Sequence, residues 1–200
     1  MELIYKVHNN LYVNLTNKCP CACTFCLRQN TDHVGESKSL WLEKEPTADE
    51  IIAEFANYDL SKYDDIVFCG FGEPTEALDV MLTVAKYLKN NFKNKLRLNT
   101  NGLGDLVNNR KIASEFANLI DCVSISLNTP NAKEYHDLVK SKFGDKSFDA
   151  MLSFAKDCTK YIPEVIMTTV DTTISKSDEA QCQKICDDIG ATYRIRAWVD

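Results

Sequence analysis

The stretch Asn14–Cys26, NLTNKCPCACTFC, carries four cysteines within eight residues: Cys19, Cys21, Cys23 and Cys26. Two metal chemistries compete for it. A zinc site wants four nitrogen or sulfur ligands closed into a tetrahedron, commonly from two separated C-x2-C knuckles. Here no second knuckle follows, and four ligands in so short a run leave little chain to wrap an ion. The alternative takes Cys19, Cys23 and Cys26 as C-x3-C-x2-C. Three thiolates can hold three irons of a cubane cluster and leave the fourth open to a small chelating ligand. Phe25 stands between the last two cysteines, where an apolar side chain can shield a metal. The cysteines directly follow LYVNLT (11–16), a β-rich run, which puts them at the carboxyl end of a strand.

Working outward, five more β-rich runs are DIVFCG (65–70), KLRLNT (95–100), CVSISLN (122–128), EVIMTTV (164–170) and TYRIRAWV (192–199). Amphipathic runs separate them. Thr47 and Glu50 read as a capping box, with Ile51, Ile52 and Phe55 on one helical face. Leu78, Met81, Leu82 and Ala85 recur at helical spacing, as do Cys182, Ile185, Cys186 and Ile189 before Gly190. Two further helical segments fall near 131–139 and 147–161. This alternation predicts a parallel α/β sheet, with ligands at the carboxyl ends of its strands.

A flat sheet covered by helices on both faces and a partial barrel both fit the element order. Side chains alternate faces along a strand. Leu96 and Leu98 oppose Arg97 and Asn99; Val13 and Leu15 oppose Asn14 and Thr16. Val123, Ile125 and Leu127 oppose Ser124, Ser126 and Asn128, and Tyr193 and Ile195 oppose Arg194 and Arg196. Buried parallel strands normally read as continuous apolar runs. A polar face in four of six strands therefore predicts a wet or ligand-filled lumen: a partial (β/α)6 barrel in one domain over 1–200.

The chain has 200 residues, 44% hydrophobic and 26% charged, with a formal net charge of −6. That balance argues against general attraction to nucleic acid. The start, MELIYKVHNNLYVNLT, lacks the basic and apolar regions of a signal peptide, and no apolar run is long enough to span a bilayer. A cytoplasmic protein with no membrane partner is the expectation, its nine cysteines being thiols or metal ligands. Cys69 and Cys122, in or beside strands, read as small core or lumen thiols; Cys182 and Cys186 lie on an apolar helical stripe. His8, His33 and His136 join no motif. The connection from Leu27 to Pro46 is long enough to suggest a substrate-side loop or lid, with Arg28 its best-placed polar residue.

N-x-T-x-x-C-x-x-x-C-x-x-C after a first strand resembles the radical S-adenosylmethionine (SAM) superfamily. The resemblance covers nearly the whole chain. It implies a partial barrel of six β/α units and a [4Fe–4S] cluster on Cys19, Cys23 and Cys26. The open iron would be chelated by the amino and carboxylate groups of SAM, whose reductive cleavage releases a 5′-deoxyadenosyl radical for hydrogen abstraction. CGFGEPT (69–75) resembles the family's G-G-E-P segment, implying Gly70, Gly72 and Glu73 as contacts to SAM, the glutamate to its amino group; Phe71 replaces the usual first glycine. NTNG (99–102) implies Asn99 and Asn101 near SAM. SISLN (124–128) implies Ser126 and Asn128 at its ribose or carboxylate. Phe25 would meet the adenine through its backbone, and Arg194 and Arg196 complete the implied set.

SLWLEKEPTADE, FCGFGEPT, RLNTNGLG, SISLN and RIRAW together resemble the short radical SAM proteins associated with TatD-family nucleases. This implies a minimal enzyme without an auxiliary cluster domain, an external flavodoxin- or ferredoxin-type reductant, and a functional association with such a nuclease. Arg97, Arg194 and Arg196 could meet SAM's carboxylate, an anionic substrate or protein carboxylates. A small polar or anionic metabolite is the expected substrate. The alternatives are activation of a glycyl-radical partner protein and a non-catalytic metal-binding module. No hydrogen-abstraction partner is assigned.

Overall fold

Ile4–Val7 (β1) and Asn10–Val13 (β2) form an antiparallel hairpin whose turn is held by His8 in the left-handed region. The computed structural model describes residues 2–197. From β2 onward every ladder is parallel, through Asp65–Phe68 (β3), Lys95–Thr100 (β4), Cys122–Ser126 (β5), Glu164–Val170 (β6) and Thr192–Arg196 (β7). The seven strands lie in sequence order. Six are those expected. β1 was not anticipated, although Ile4, Tyr5, Lys6 and Val7 are β-compatible and His8-Asn9 is a fitting turn. Of the expected last strand, Trp198 and Val199 lie outside the described residues.

Helices fill the crossovers. Ala48–Glu54 (α1) starts at the anticipated capping box, Thr47 accepting from the Glu50 amide and Glu50 from the Thr47 amide. Leu78–Asn91 (α2) buries Leu78, Met81, Leu82 and Ala85. Gly104–Asn108 (α3) joins β4 to β5, Ala132–Val139 (α4) and Lys146–Cys158 (α5) join β5 to β6, and Lys176–Ile189 (α6) ends at Gly190 before β7. Among the described residues no helix is long and apolar enough to cross a membrane.

The apolar strand face and the helices make one core. Val13, Phe68, Leu96, Leu98, Val123, Ile125 and Met167 meet Met81, Leu88, Phe116, Met151 and Phe154 there. Cys182 and Cys186 are fully buried in the same core, as their apolar stripe required, and so is Cys158. The opposite face is polar. Tyr12 on β2 and Arg194 on β7 stand near opposite ends of the strand order yet line a single cavity, so the sheet curls around that face. This is the partial barrel, an α/β single domain.

β2 stops at Val13, short of the expected end at Thr16. Asn14 and Thr16 were expected on the ligand-facing side and are instead buried, at 0% and 1% exposure. Asn14 Nδ2 donates to the Leu40 carbonyl at 2.7 Å, and Thr16 Oγ1 to Glu45 Oε1 at 2.6 Å. Their polar groups hold the 40–45 segment rather than a ligand.

Candidate active site

The cavity measures about 280 Å³ and opens where strand ends from β3, β4 and β5 meet β7. Gly70, Gly72, Glu73, Asn99, Asn101, Ser126, Arg194 and Arg196 line it, with Tyr12, Cys69, Arg97, Ser124 and Thr168. Eight of the residues singled out from sequence are thus brought together. Phe25 is not among them; it lies half-exposed in the cysteine loop. Asn128 is not either. It is buried in the left-handed region, its amide donating to Thr168 O and its Oδ1 without a partner.

Glu73 is fixed from three sides. Its Oε1 accepts from Thr75 N, Thr75 Oγ1 and Thr100 Oγ1 at 3.2, 2.9 and 2.6 Å, and its Oε2 from Asn101 N at 2.8 Å. Burial pushes the carboxyl above its usual range, against the pull of these donors. The loop before it is pressed against the chain leading to the cysteines. A Cβ on Gly72 would stand 2.1 Å from the Thr16 carbonyl oxygen, and one on Gly70 would stand 2.1 Å from Asn14 Oδ1. The Glu73 amide donates to Lys18 O at 2.8 Å. These glycines permit backbone contact between two loops, a role the motif match did not express.

The cysteine loop has a second wall. Ala22 N donates to Val139 O at 3.1 Å, Thr24 N to Leu138 O at 2.9 Å and Lys142 N to Pro20 O at 2.8 Å, so the end of α4 braces it. Cys21 is buried and bridges to Ser141; Cys19, Cys23 and Cys26 are half-exposed. The Cys21 thiol reaches both Cys19 and Cys23. Contact with these two thiols, together with burial, raises the Cys21 thiol above its usual range, while contact with Cys21 lowers those of Cys19 and Cys23. Burial raises the Cys26 thiol. Asn101 Nδ2 points to Cys21 Sγ at 3.6 Å and Cys19 Sγ at 3.9 Å, linking the cavity to the cysteines. Among the described residues no three His, Cys, Asp or Glu side chains gather as a single metal ion requires.

The 27–46 connection, expected as a substrate-side loop or lid, is tied down at several points. Arg28 donates to the carbonyls of Asn17, Cys21 and Phe71 at 3.4, 3.1 and 3.4 Å, tying three loops together. Leu40 and Leu42 are buried, and Leu40 packs with Tyr5 and Phe71 over β1. Trp41 meets Phe71 edge-on at 5.2 Å. His33 faces Asp32 at 2.9 Å, exposed and apart from the cavity. Sequence reasoning missed Tyr12, whose place opposite β7 follows only from the curl of the sheet. It also missed the brace from α4.

The family model described as the radical SAM superfamily matches residues 13–187. Among solved structures, a radical SAM methyltransferase from Sphaerobacter thermophilus superposes with a TM-score of 0.64 at 17% identity, covering 97% of this chain and 57% of that one. SuiB of Streptococcus suis, bound to its precursor peptide SuiA, gives 0.64 at 17% identity, covering 96% and 39%. Methylornithine synthase, PylB, gives 0.61 at 11% identity, covering 95% and 53%. At such identities the likeness is one of fold. The chain spans little more than half of the first of these proteins and less of SuiB.

Proposed function

The chain belongs to the radical SAM superfamily, whose members use a [4Fe–4S] cluster and SAM, and from that premise we propose that it is an enzyme abstracting hydrogen from a small polar substrate held in the strand-end cavity. The chemistry supplied there is reductive cleavage of SAM's sulfonium, which releases a 5′-deoxyadenosyl radical; the electron comes from an external one-electron donor.

The donor set fits both groups. Cys19, Cys23 and Cys26 sit half-buried in one loop, which Asn101 ties to the cavity through Cys19, and three thiolates are the donor set that leaves one iron of a cluster open. The cavity keeps buried polar atoms without partners, among them Asn99 Oδ1 and the Nε atoms of Arg97 and Arg196, which a polar ligand would satisfy. In this reading Cys19, Cys23 and Cys26 hold the cluster, and Cys21 braces the loop. Glu73, kept in one orientation by its donors, would meet the amino group of SAM through Oε2, which accepts one of its four hydrogen bonds while Oε1 accepts three. Asn101 spans the two cofactors. Asn99 and Ser126 hold SAM's polar edges, and the tight 70–72 backbone lets the two loops close together without side chains between them.

One observation carries the proposal: Asn101 joins the oriented, buried Glu73 of the polar cavity, through its backbone amide, to Cys19 of the C-x3-C-x2-C loop, through its side chain. Anaerobic reconstitution tests it. About four irons per chain and dithionite-dependent formation of 5′-deoxyadenosine from SAM are expected. Stoichiometric zinc with no SAM binding would sink it.

A further inference from the structure

Among the described residues the cavity holds more positive charge than is neutralised by ion pairs. Arg97 on β4 and Arg194 and Arg196 on β7 all line it, in a chain whose overall charge is −6. Arg97 pairs with Asp65 at 3.5 Å. Among the described residues Arg194 and Arg196 have no ion pair. The Nε atoms of Arg97 and Arg196 are buried without hydrogen-bond partners. The carboxylate that lines the cavity, Glu73, already accepts four hydrogen bonds. Burial and the like charge of Arg194 lower the affinity of Arg196 for its proton, the cost of an unmatched buried cation. Tyr12 adds a phenol to the same lining.

SAM does not restore the balance. It brings two cationic groups, sulfonium and ammonium, against one carboxylate. Glu73 facing the ammonium balances SAM, and the thiolate-bound cluster adds negative charge at the cysteine loop, but no carboxylate among the described residues pairs with Arg194 or Arg196 on β7. Guanidinium groups match oxyanions through paired N–H donors. We propose that the substrate is a dianion, either a phosphate monoester or a dicarboxylate, gripped by Arg97, Arg194 and Arg196 with Tyr12 beside them. This rests on the radical SAM reading and narrows its substrate class. The neighbouring Ser124 and Thr168 hydroxyls would complete the oxyanion's hydrogen bonds.

The test is calorimetric titration of the reconstituted full chain, anaerobic and saturated with SAM, at constant ionic strength. The probes are inorganic phosphate, malonate and the neutral malonamide. At least one dianion should bind, and malonamide should not. Tighter phosphate assigns the phosphate monoester, and tighter malonate the dicarboxylate. Arg97→Gln should weaken that anion about 10-fold or more, and by a larger factor than it weakens SAM. Arg194→Gln, at an exposed position, gives the same comparison should Arg97→Gln fail to fold. Dianions no tighter than malonamide would overturn the proposal, as would equal losses of anion and SAM affinity. A wild-type chain that cleaves SAM but binds no dianion removes this proposal alone. One that neither binds nor cleaves SAM removes the parent reading and this one with it.

Discussion

Glu73 and Cys21 show how differently two residues of one site are constrained. The Glu73 carboxylate is oriented before any ligand arrives, by donors from Thr75, Thr100 and Asn101. Glu73→Gln keeps its volume and removes its charge. It should weaken SAM binding about 10-fold or more, the scale of a lost hydrogen bond to a charged group, while iron per chain is retained. Equilibrium binding with parallel iron analysis checks this; unchanged affinity would count against the role. Cys21 sits on the opposite side of the argument. It is buried, braced by Ser141 and within reach of Cys19 and Cys23. Cys21→Ala should still assemble a cluster, whereas Cys19→Ala, Cys23→Ala and Cys26→Ala should each lose it. Absorbance and iron content after reconstitution read the difference, and the reverse pattern at Cys21 and Cys19 would reassign the ligands.

Between elements, the site depends on three loops pressed together rather than on one motif. The cysteine loop and the 70–74 loop share backbone contacts that leave no room for side chains, and side chains of Asn14, Thr16 and Asn17 tie the 40–45 segment to them. Gly72→Ala would force a Cβ against the Thr16 and Lys18 carbonyls, at 2.1 and 2.7 Å. We expect a loss of about 1–3 kcal/mol, the range for overpacking a close contact, seen as a lower urea midpoint. Asn17 clips the 40–45 segment in place, donating to Leu42 O at 2.7 Å and accepting from Leu42 N at 3.0 Å. Asn17→Ala should cost about 1–3 kcal/mol, since a buried amide and carbonyl lose partners. Faster hydrogen exchange at the Leu42 amide would report it, and unaltered exchange would contradict the clip. The sequence suggested a lid here because 27–46 lacks regular periodicity. Its order comes from Asn14, Thr16, Asn17 and Arg28, whose bonds to distant residues have no signature in spacing.

Across the whole molecule, the curled sheet separates an apolar layer that stabilises from a polar lumen that binds. Phe154 on α5 is fully buried and packs edge-on against Phe116 at 6.4 Å between ring centres. Phe154→Ala should cost about 3–5 kcal/mol through lost burial and a residual cavity, measured by urea unfolding; a loss under 1 kcal/mol would mean the core collapses around the gap. Much of this layering was legible in the chain. The alternation of Leu96 and Leu98 with Arg97 and Asn99 shows two unlike faces, because successive strand side chains point opposite ways. The capping box at Thr47 and the stop at Gly190 were equally plain, because both are local. By itself, then, the sequence determined the six parallel strands, their helices, the cysteine spacing and the polar character of one face. Only the tertiary structure decided that β1 joins the sheet, that Asn14 and Thr16 serve the loops instead of the lumen, that the end of α4 braces the cysteine loop, and that Tyr12 meets the arginines of β4 and β7. Local pattern follows from backbone geometry and residue type over a few positions. These other facts depend on how far the sheet curls and which loops it brings together, and those are set by packing between residues distant in the chain.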